Sequence, residues 1–316
     1  MLFQAAGITV DPWLPPLIAF LISFFTSMAG VSGAFLLLPF QMSFLGFTNP
    51  SVSATNHLFN IIAIPSGVYR YLKEGRMVWP LTWIVILGTL PGVLLGAVVR
   101  IEYLPDPKNF KLFAAAVLIF IGVRMLYDML GNGSGSRDKS SAEVKFQKQA
   151  KKQQTQTETD SSSTPTVHIE RFSLREISFS FYGDRFSVKT LGIFILSFVV
   201  GIVGGIYGIG GGSIIAPFFV AFYHLPVYIV AGAALMGTFV TSVAGVIFFQ
   251  AIAPIYPDMS VAPDWALGTL FGLGGMAGMY LGARCQKHVP AKAIKWLLIA
   301  IVMFTAVKYV AEYLGL

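Results

Sequence analysis

Apolar residues run in long stretches at about 13–46, 50–72, 78–100, 109–130, 188–223, 227–252, 264–284 and 293–315. An apolar run of about 20 residues is long enough to cross a bilayer as a helix. The pattern therefore predicts a bundle of membrane-spanning helices. Two of the stretches, 13–46 and 188–223, are too long for one simple span and too short for two. Both are interrupted by glycine clusters. They read as broken or re-entrant elements, each made of two half-helices that meet at a glycine-rich break.

Residues 131–187 interrupt this pattern. They open with Gly131-Asn132-Gly133-Ser134-Gly135-Ser136, pass through a Lys/Gln run from Lys145 to Gln154, and continue in a Thr/Ser tract from Thr155 to Thr166. Such a composition buries no core and predicts a largely disordered linker. A short amphipathic piece around Phe172–Phe186 is expected on the membrane surface. The expected organisation is a first transmembrane repeat over 1–130, a polar cytoplasmic linker over 131–187 and a second repeat over 188–316. The expected fold class is an all-α polytopic membrane protein of two homologous four-segment repeats, each opening with a glycine-broken helix.

The repeat is visible in the spacing of small residues. Gly30-Val31-Ser32-Gly33-Ala34 with Pro39 aligns with Gly208-Ile209-Gly210-Gly211-Gly212 with Pro217, at an offset of 178. The same offset places Asn60 on Thr238 and Gly67 on Gly245. Further on, Gly92-x-x-x-Gly96-Ala97 matches Gly278-x-x-x-Gly282-Ala283 at an offset of 186, and a longer second loop around Pro254–Pro263 accounts for the shift. If each broken element enters and leaves on one side, each half crosses three times and the halves are inverted. If each crosses fully, the halves are parallel. Cytoplasmic loops retain Lys and Arg. The inverted arrangement places 18 of these residues inside and 4 outside, the parallel one 15 and 7. The balance favours inversion, and both arrangements put the linker in the cytoplasm.

Composition narrows the class. Of 316 residues, 55% are apolar and 12% charged, against roughly a quarter charged in soluble domains. The segment 131–187 alone carries 16 of the 37 charged side chains. A soluble enzyme is excluded on this ground. The net charge of +7 comes from residues flanking apolar spans or lying in the insertion among acidic neighbours, so no nucleic-acid partner is expected. One cysteine, Cys285, leaves no disulfide framework and no Cys-based metal site. Met1–Trp13 lacks the Lys or Arg of a cleavable signal peptide, so the first apolar segment is expected to remain in the mature chain.

The candidate chemistry lies in the breaks and in one polar stripe. Glycine lets the backbone leave helical geometry, and a helix that restarts presents unpaired N–H groups and a partial positive charge. Anions bind at such ends without a cationic side chain. The restarts fall near Ala34–Phe35 and Ser213–Ile214, with Gly33 and Gly210, Gly211 and Gly212 beside them. Ser32 and Ser213 add hydroxyl donors. Close helix packing is the competing explanation of the glycines, foremost for Gly201 and Gly205. Ser53, Asn56, His57 and Asn60 recur at three- and four-residue intervals and share one helical face. The corresponding helix of the second half offers Thr238, Thr241 and Ser242. Polar groups at membrane depth face the protein interior or a water-filled cavity, where they either bond between helices or line a solute site. His57 is the one plainly titratable side chain deep in a span. No Asp or Glu lies well inside an apolar span, and there is no H-E-x-x-H. Neutral donors of this kind suit an anion or a polar neutral solute. No cofactor and no metal is expected.

The duplicated glycine motif with its prolines, and the later Gly-x-x-x-Gly-Ala pairs, resemble the TauE/SafE family of sulfite-exporter-like membrane transporters. The resemblance covers both halves, about 250 residues, and excludes 131–187. The first copy departs from the second by Ser32 and Ala34 in place of Gly210 and Gly212. The resemblance implies a multi-pass bacterial or archaeal inner-membrane protein that moves sulfite, organosulfonates or related anions and is not an enzyme. The expected substrate site lies between the breaks, with Ser32, Gly33, Ala34, Asn56, His57, Asn60, Gly210, Gly211, Gly212, Ser213, Thr238 and Thr241 around the anion. Expected partners are the anion, the lipid bilayer and a second copy in a homodimer. The alternative is an ion-coupled uptake permease for a sulfonate or another small organic anion.

Overall fold

A computed structural model describes residues 1–28, 32–73, 77–130, 168–173, 175–181, 184–212, 215, 218–219, 223, 225, 227–285 and 291–315. A short hairpin, β1 (Leu2–Phe3) with β2 (Ile8–Thr9), precedes α1 (Leu14–Met28) and α2 (Ala34–Ser43). Then follow α3 (Ser51–Ala63), α4 (Pro65–Lys73), α5 (Trp79–Glu102) and α6 (Pro107–Leu130). Pro65 has no N–H to continue the ladder, and α4 restarts there. Three strands, β3 (His168–Phe172), β4 (Glu176–Phe181) and β5 (Asp184–Lys189), lead into α7 (Thr190–Tyr207). The chain continues with α8 (Val227–Ile252), a 3₁₀ turn (Ala253–Ile255), α9 (Trp265–Cys285) and α10 (Ala291–Leu314). Five helices are long and apolar enough to cross a membrane among the described residues, in segments 79–102, 107–127, 190–207, 230–255 and 296–314. The helices follow the apolar stretches of the sequence closely.

Two helix pairs are in backbone contact. α1 lies on α9 and α7 lies on α5. A Cβ added at Gly274, Gly278 or Gly282 would stand 2.0, 2.3 and 2.3 Å from the carbonyl oxygens of Pro16, Phe20 and Phe24. A Cβ added at Gly88, Gly92 or Gly96 would stand 2.8, 2.4 and 2.3 Å from those of Phe194, Phe198 and Ile202. From the other side, Gly201 and Gly205 lie on the carbonyls of Thr89 and Val93, at 2.6 and 2.3 Å. Small residues at helix interfaces let backbones approach where lipid supplies no hydrophobic drive. Close packing is therefore what Gly201 and Gly205 do. α6 and α10 pack on each other, and α3 contacts both α8 and α9.

The hydrogen bonds locate the two ends of the bundle. The Asn49 amide, just past α2, donates to the carbonyls of Ala5 and Ala6 before α1, at 3.2 and 3.5 Å. The unit α1–α2 thus starts and finishes at one end. Ser51 Oγ donates to the Ala262 carbonyl and the Ala6 N–H to Asp264, so the α8–α9 loop lies there too. At the opposite end, a Cβ on Gly192 would meet the Tyr223 hydroxyl at 2.4 Å. The start of α7 and residue 223 are therefore neighbours. The first half begins at the Asp264 end and finishes at the other, and the second half runs back.

Where a largely disordered linker is expected, most of the described residues over 168–189 lie in three strands. They form an antiparallel sheet in the order β3–β4–β5, with Ile177 opposite Val188 and Phe179 opposite Phe186. Ile177, Phe179 and Val188 are buried, and the Phe179 and Phe186 rings stack at 5.6 Å. The cause is the strict alternation Glu176-Ile177-Ser178-Phe179-Ser180-Phe181, which gives one apolar face. Thr190 fastens the sheet to α7, its Oγ1 donating to the Ser173 carbonyl at 2.8 Å. Residues 131–167 of the expected linker lie outside the described residues.

The backbone contacts make a direct prediction. Gly96→Leu and Gly278→Leu each force helices apart at a carbonyl, and overpacking of this kind costs about 1–3 kcal/mol or more. The melting temperature of the detergent-purified protein is expected to fall in both. Melting at the wild-type temperature would show that these faces do not touch.

Candidate functional site

The polar stripe of α3 is the centre of the molecule. Ser53, Asn56, His57 and Asn60 are fully buried. Their spacing puts them on one face, and each reaches another helix or a break. Asn60 joins the two breaks directly. Its Nδ2 donates to the Ile209 carbonyl at 3.0 Å, and its Oδ1 accepts the Ser32 hydroxyl at 3.3 Å. The same Ser32 oxygen accepts the Ala34 N–H at 3.3 Å, covering one of the N–H groups that open α2. Asn56 Nδ2 donates to the Ala34 carbonyl at 3.1 Å, and Ser53 Oγ to the Ile206 carbonyl at 3.0 Å. The structure thus brings Ser32, Ala34, Asn56 and Asn60 together and joins them to the second break.

The second break owes its path to glycine. α7 ends at Gly208 with φ +76, and Gly210 has φ +71, a left-handed conformation that side-chain-bearing residues rarely adopt. A Cβ on Gly208 would lie 2.4 Å from the Ser53 carbonyl, so the turn rests on the α3 backbone. Gly210, Gly211 and Gly212 wedge between α5 and α8. Added Cβ atoms there would meet Thr238 Cγ2 at 2.9 Å, Thr89 Cγ2 at 2.6 Å and the Ala234 carbonyl at 1.9 Å. Gly33 is different. It caps α2 at φ −65, and a Cβ there would meet the Ser23 hydroxyl at 2.8 Å.

The remaining expected residues fall into two groups. Thr238 flanks Gly210 and Gly212, with its hydroxyl donating to the Ala234 carbonyl at 2.9 Å. Thr241 bonds within its own helix, to the carbonyls of Gly237 and Thr238 at 2.7 and 3.2 Å. Such back-bonding satisfies a hydroxyl without a second helix. His57 packs on α8: Nδ1 lies 3.3 Å from Ser242 Oγ, and Phe249 stands beside the ring. It reaches the break only through Ser242, whose oxygen would be 3.1 Å from a Cβ on Gly210. Ser213 lies outside the described residues.

Three features of the centre were not singled out in the sequence. The Tyr207 hydroxyl donates to the Phe35 carbonyl at 3.0 Å, a second bond between the halves. Its signal is its position immediately before Gly208. Both amide atoms of Gln41, on α2, are buried without a partner, as are Asn56 Oδ1 and His57 Nε2. A lone glutamine in an apolar run was the available clue. Thr89 holds Gly211 in place by shape, which no spacing reveals. The chemistry assembled is neutral: amides, hydroxyls, carbonyls and one imidazole.

Fold and site together define a multi-pass helical membrane protein with a neutral, hydrogen-bonded centre. The chain belongs to the sulfite exporter TauE/SafE family, whose model matches residues 16–309. The match runs from α1 nearly to the end of α10. No curated protein and no solved structure matches the chain. Membership in this family places the protein among membrane transporters.

Asn60 and Thr241 are expected to respond differently to loss of their polar groups. Asn60→Leu removes the bonds to the Ile209 carbonyl and from the Ser32 hydroxyl, and loss of buried hydrogen bonds of this kind costs about 1–3 kcal/mol. Thr241→Val removes only a bond within its helix and is expected to cost under about 1 kcal/mol. Thermal melts of the two variants beside wild type test this ordering, and equal shifts would contradict it.

Proposed function

We propose that the protein exports a small sulfur-containing anion, sulfite or an organosulfonate, bound near the middle of the bundle between the two breaks. The observation that carries this reading is the Asn60 joint, where one side chain holds both breaks, taken with the family match. An anion entering there exchanges for the carbonyl partners of Asn56 and Asn60. It meets amide N–H, the Ser32 and Thr238 hydroxyls and the opening N–H groups of α2, with Gly33 and Gly210 to Gly212 allowing close approach. Such ends favour negative charge without a fixed cation. Export down an inside-negative potential gains about 2.3 kcal/mol per charge per 100 mV.

The two halves act as inverted repeats in this reading, and one moves against the other. Three contacts support it. Gly88, Gly92 and Gly96 on Phe194, Phe198 and Ile202 correspond, at the sequence offsets of the repeat, to Gly274, Gly278 and Gly282 on Pro16, Phe20 and Phe24. The opposite ends at which the halves begin support inversion. The Lys/Arg balance orients the sheet end, with 131–187, toward the cytoplasm of a plasma membrane.

The test is melting and flux with sulfite, sulfate, thiosulfate, sulfoacetate, taurine, acetate and phosphate at matched ionic strength. A ligand at a hundred times its Kd stabilises by about 2.7 kcal/mol. A sulfur anion is expected to raise the melting temperature and to move in proteoliposomes, and both responses are expected to fall in Ser32→Ala. If no sulfur anion stabilises the wild type and flux equals that of empty liposomes, the substrate class is wrong. Uptake that collapses with a protonophore would reverse the direction.

A further inference from the structure

Arg100, in the last turn of α5, is fully buried at the Asp264 end. Nη2 donates to the Thr48 carbonyl at 3.0 Å, Nη1 to that of Leu104, and the guanidinium carbon lies 3.8 Å over the centre of the Phe110 ring. Nε has no partner. The carboxylates of this end are engaged elsewhere. Glu102 accepts the Tyr256 hydroxyl, Asp106 the Lys108 N–H, and Asp264 the Ala6 and Leu267 N–H groups. Glu312 pairs with Lys111 and Lys308, and Asp11 and Asp258 are exposed. Among the described residues no carboxylate meets Arg100.

This is an expensive arrangement. A guanidinium stays charged in any protein environment, and buried charges are ordinarily paired. A long cationic side chain at a helix end ordinarily reaches out to water, and this one does not. Tying two loops together needs only a neutral donor. The position adds direction. Thr48 follows α2 where the chain returns to this end. Gln41 stands on α2 two turns beyond Ala34, about 10 Å along the axis, with both amide atoms unpartnered. Gln41 thus stands on α2 between the level of Ala34 and the end at which Thr48 meets Arg100.

We propose that Arg100 forms a second anion subsite, through which a small oxyanion passes between the Asn60 joint and the Asp264 end. Nε–H and a further guanidinium N–H bind two of its oxygens, the side-on geometry that suits arginine to oxyanions. The proposal rests on the reading that the chain carries an anion, and it adds the missing counter-charge. Under the inverted orientation this end is the release side.

The experiment uses the full-length protein in proteoliposomes with labelled sulfite, measuring KM and kcat for Arg100→Met, Arg100→Lys and Arg100→Gln, alongside melting with the anion panel. Charge-assisted hydrogen bonds predict a KM rise of about tenfold or more in the Met and Gln variants. The Lys variant, which keeps the charge but not the fork, is expected to fall between these and wild type. A purely structural clamp would lower kcat or the melting temperature and leave KM alone. KM within twofold of wild type for Gln or Met, or a Lys variant no better than Gln, overturns the proposal. Where Met does not fold, Gln and Lys decide. If wild type ignores sulfur anions but responds to acetate or phosphate, the substrate reading fails and the variants judge Arg100 on that anion. If wild type responds to no anion, both fall.

Discussion

A helix may break inside a membrane only where something takes up the backbone groups it frees, because hydrocarbon offers no hydrogen bonds. Everything central to this protein follows from that constraint. The end of α7 at Gly208 leaves carbonyls that a continuing helix would have used. Two side chains of α3 receive them, Ser53 at Ile206 and Asn60 at Ile209, and Asn56 adds a bond to the Ala34 carbonyl in the first turn of α2. Tyr207 takes up the Phe35 carbonyl, whose helical partner would have been the N–H that Pro39 lacks. The polar stripe is thus first a structural necessity. It is also a set of donors whose partners are backbone carbonyls of other segments.

The glycine faces impose the second constraint. α1 and α7 carry the breaks, and each is pressed onto a helix of the other half along a glycine row. The breaks are held at the centre because their helices have no room to shift across those rows. At Gly212, where a Cβ would stand 1.9 Å from the Ala234 carbonyl, the second break is seated just as tightly on α8. The same residue type works in two ways. At Gly208 and Gly210 it supplies a left-handed turn, and at Gly92, Gly96, Gly278 and Gly282 it supplies contact alone.

Arg100 and the joint divide the electrostatics between them. The centre holds neutral donors. The fixed charge stands at the Asp264 end, in the last turn of α5, and is fully buried.

Much of this was legible in the chain. The apolar stretches, the interruptions at Gly30–Ala34 and Gly208–Gly212, and the stripe Ser53, Asn56, His57, Asn60 are local patterns, and local patterns survive in sequence. The sheet over 168–189 was legible too, in the alternation Ile177, Phe179, Phe181, but the polar bias of its surroundings outweighed it. What sequence alone left open was who meets whom. Asn60 and Thr238 occupy matching positions, yet Asn60 spans both breaks while Thr238 bonds back to its own helix. His57 shares a face with Asn60 and packs on α8. Arg100 is buried because Thr48, Leu104 and Phe110 close over it. Helical period and glycine spacing decide which residues share a face. Only the packing of distant helices decides whether a polar group on that face is satisfied, because its partner lies up to two hundred residues away.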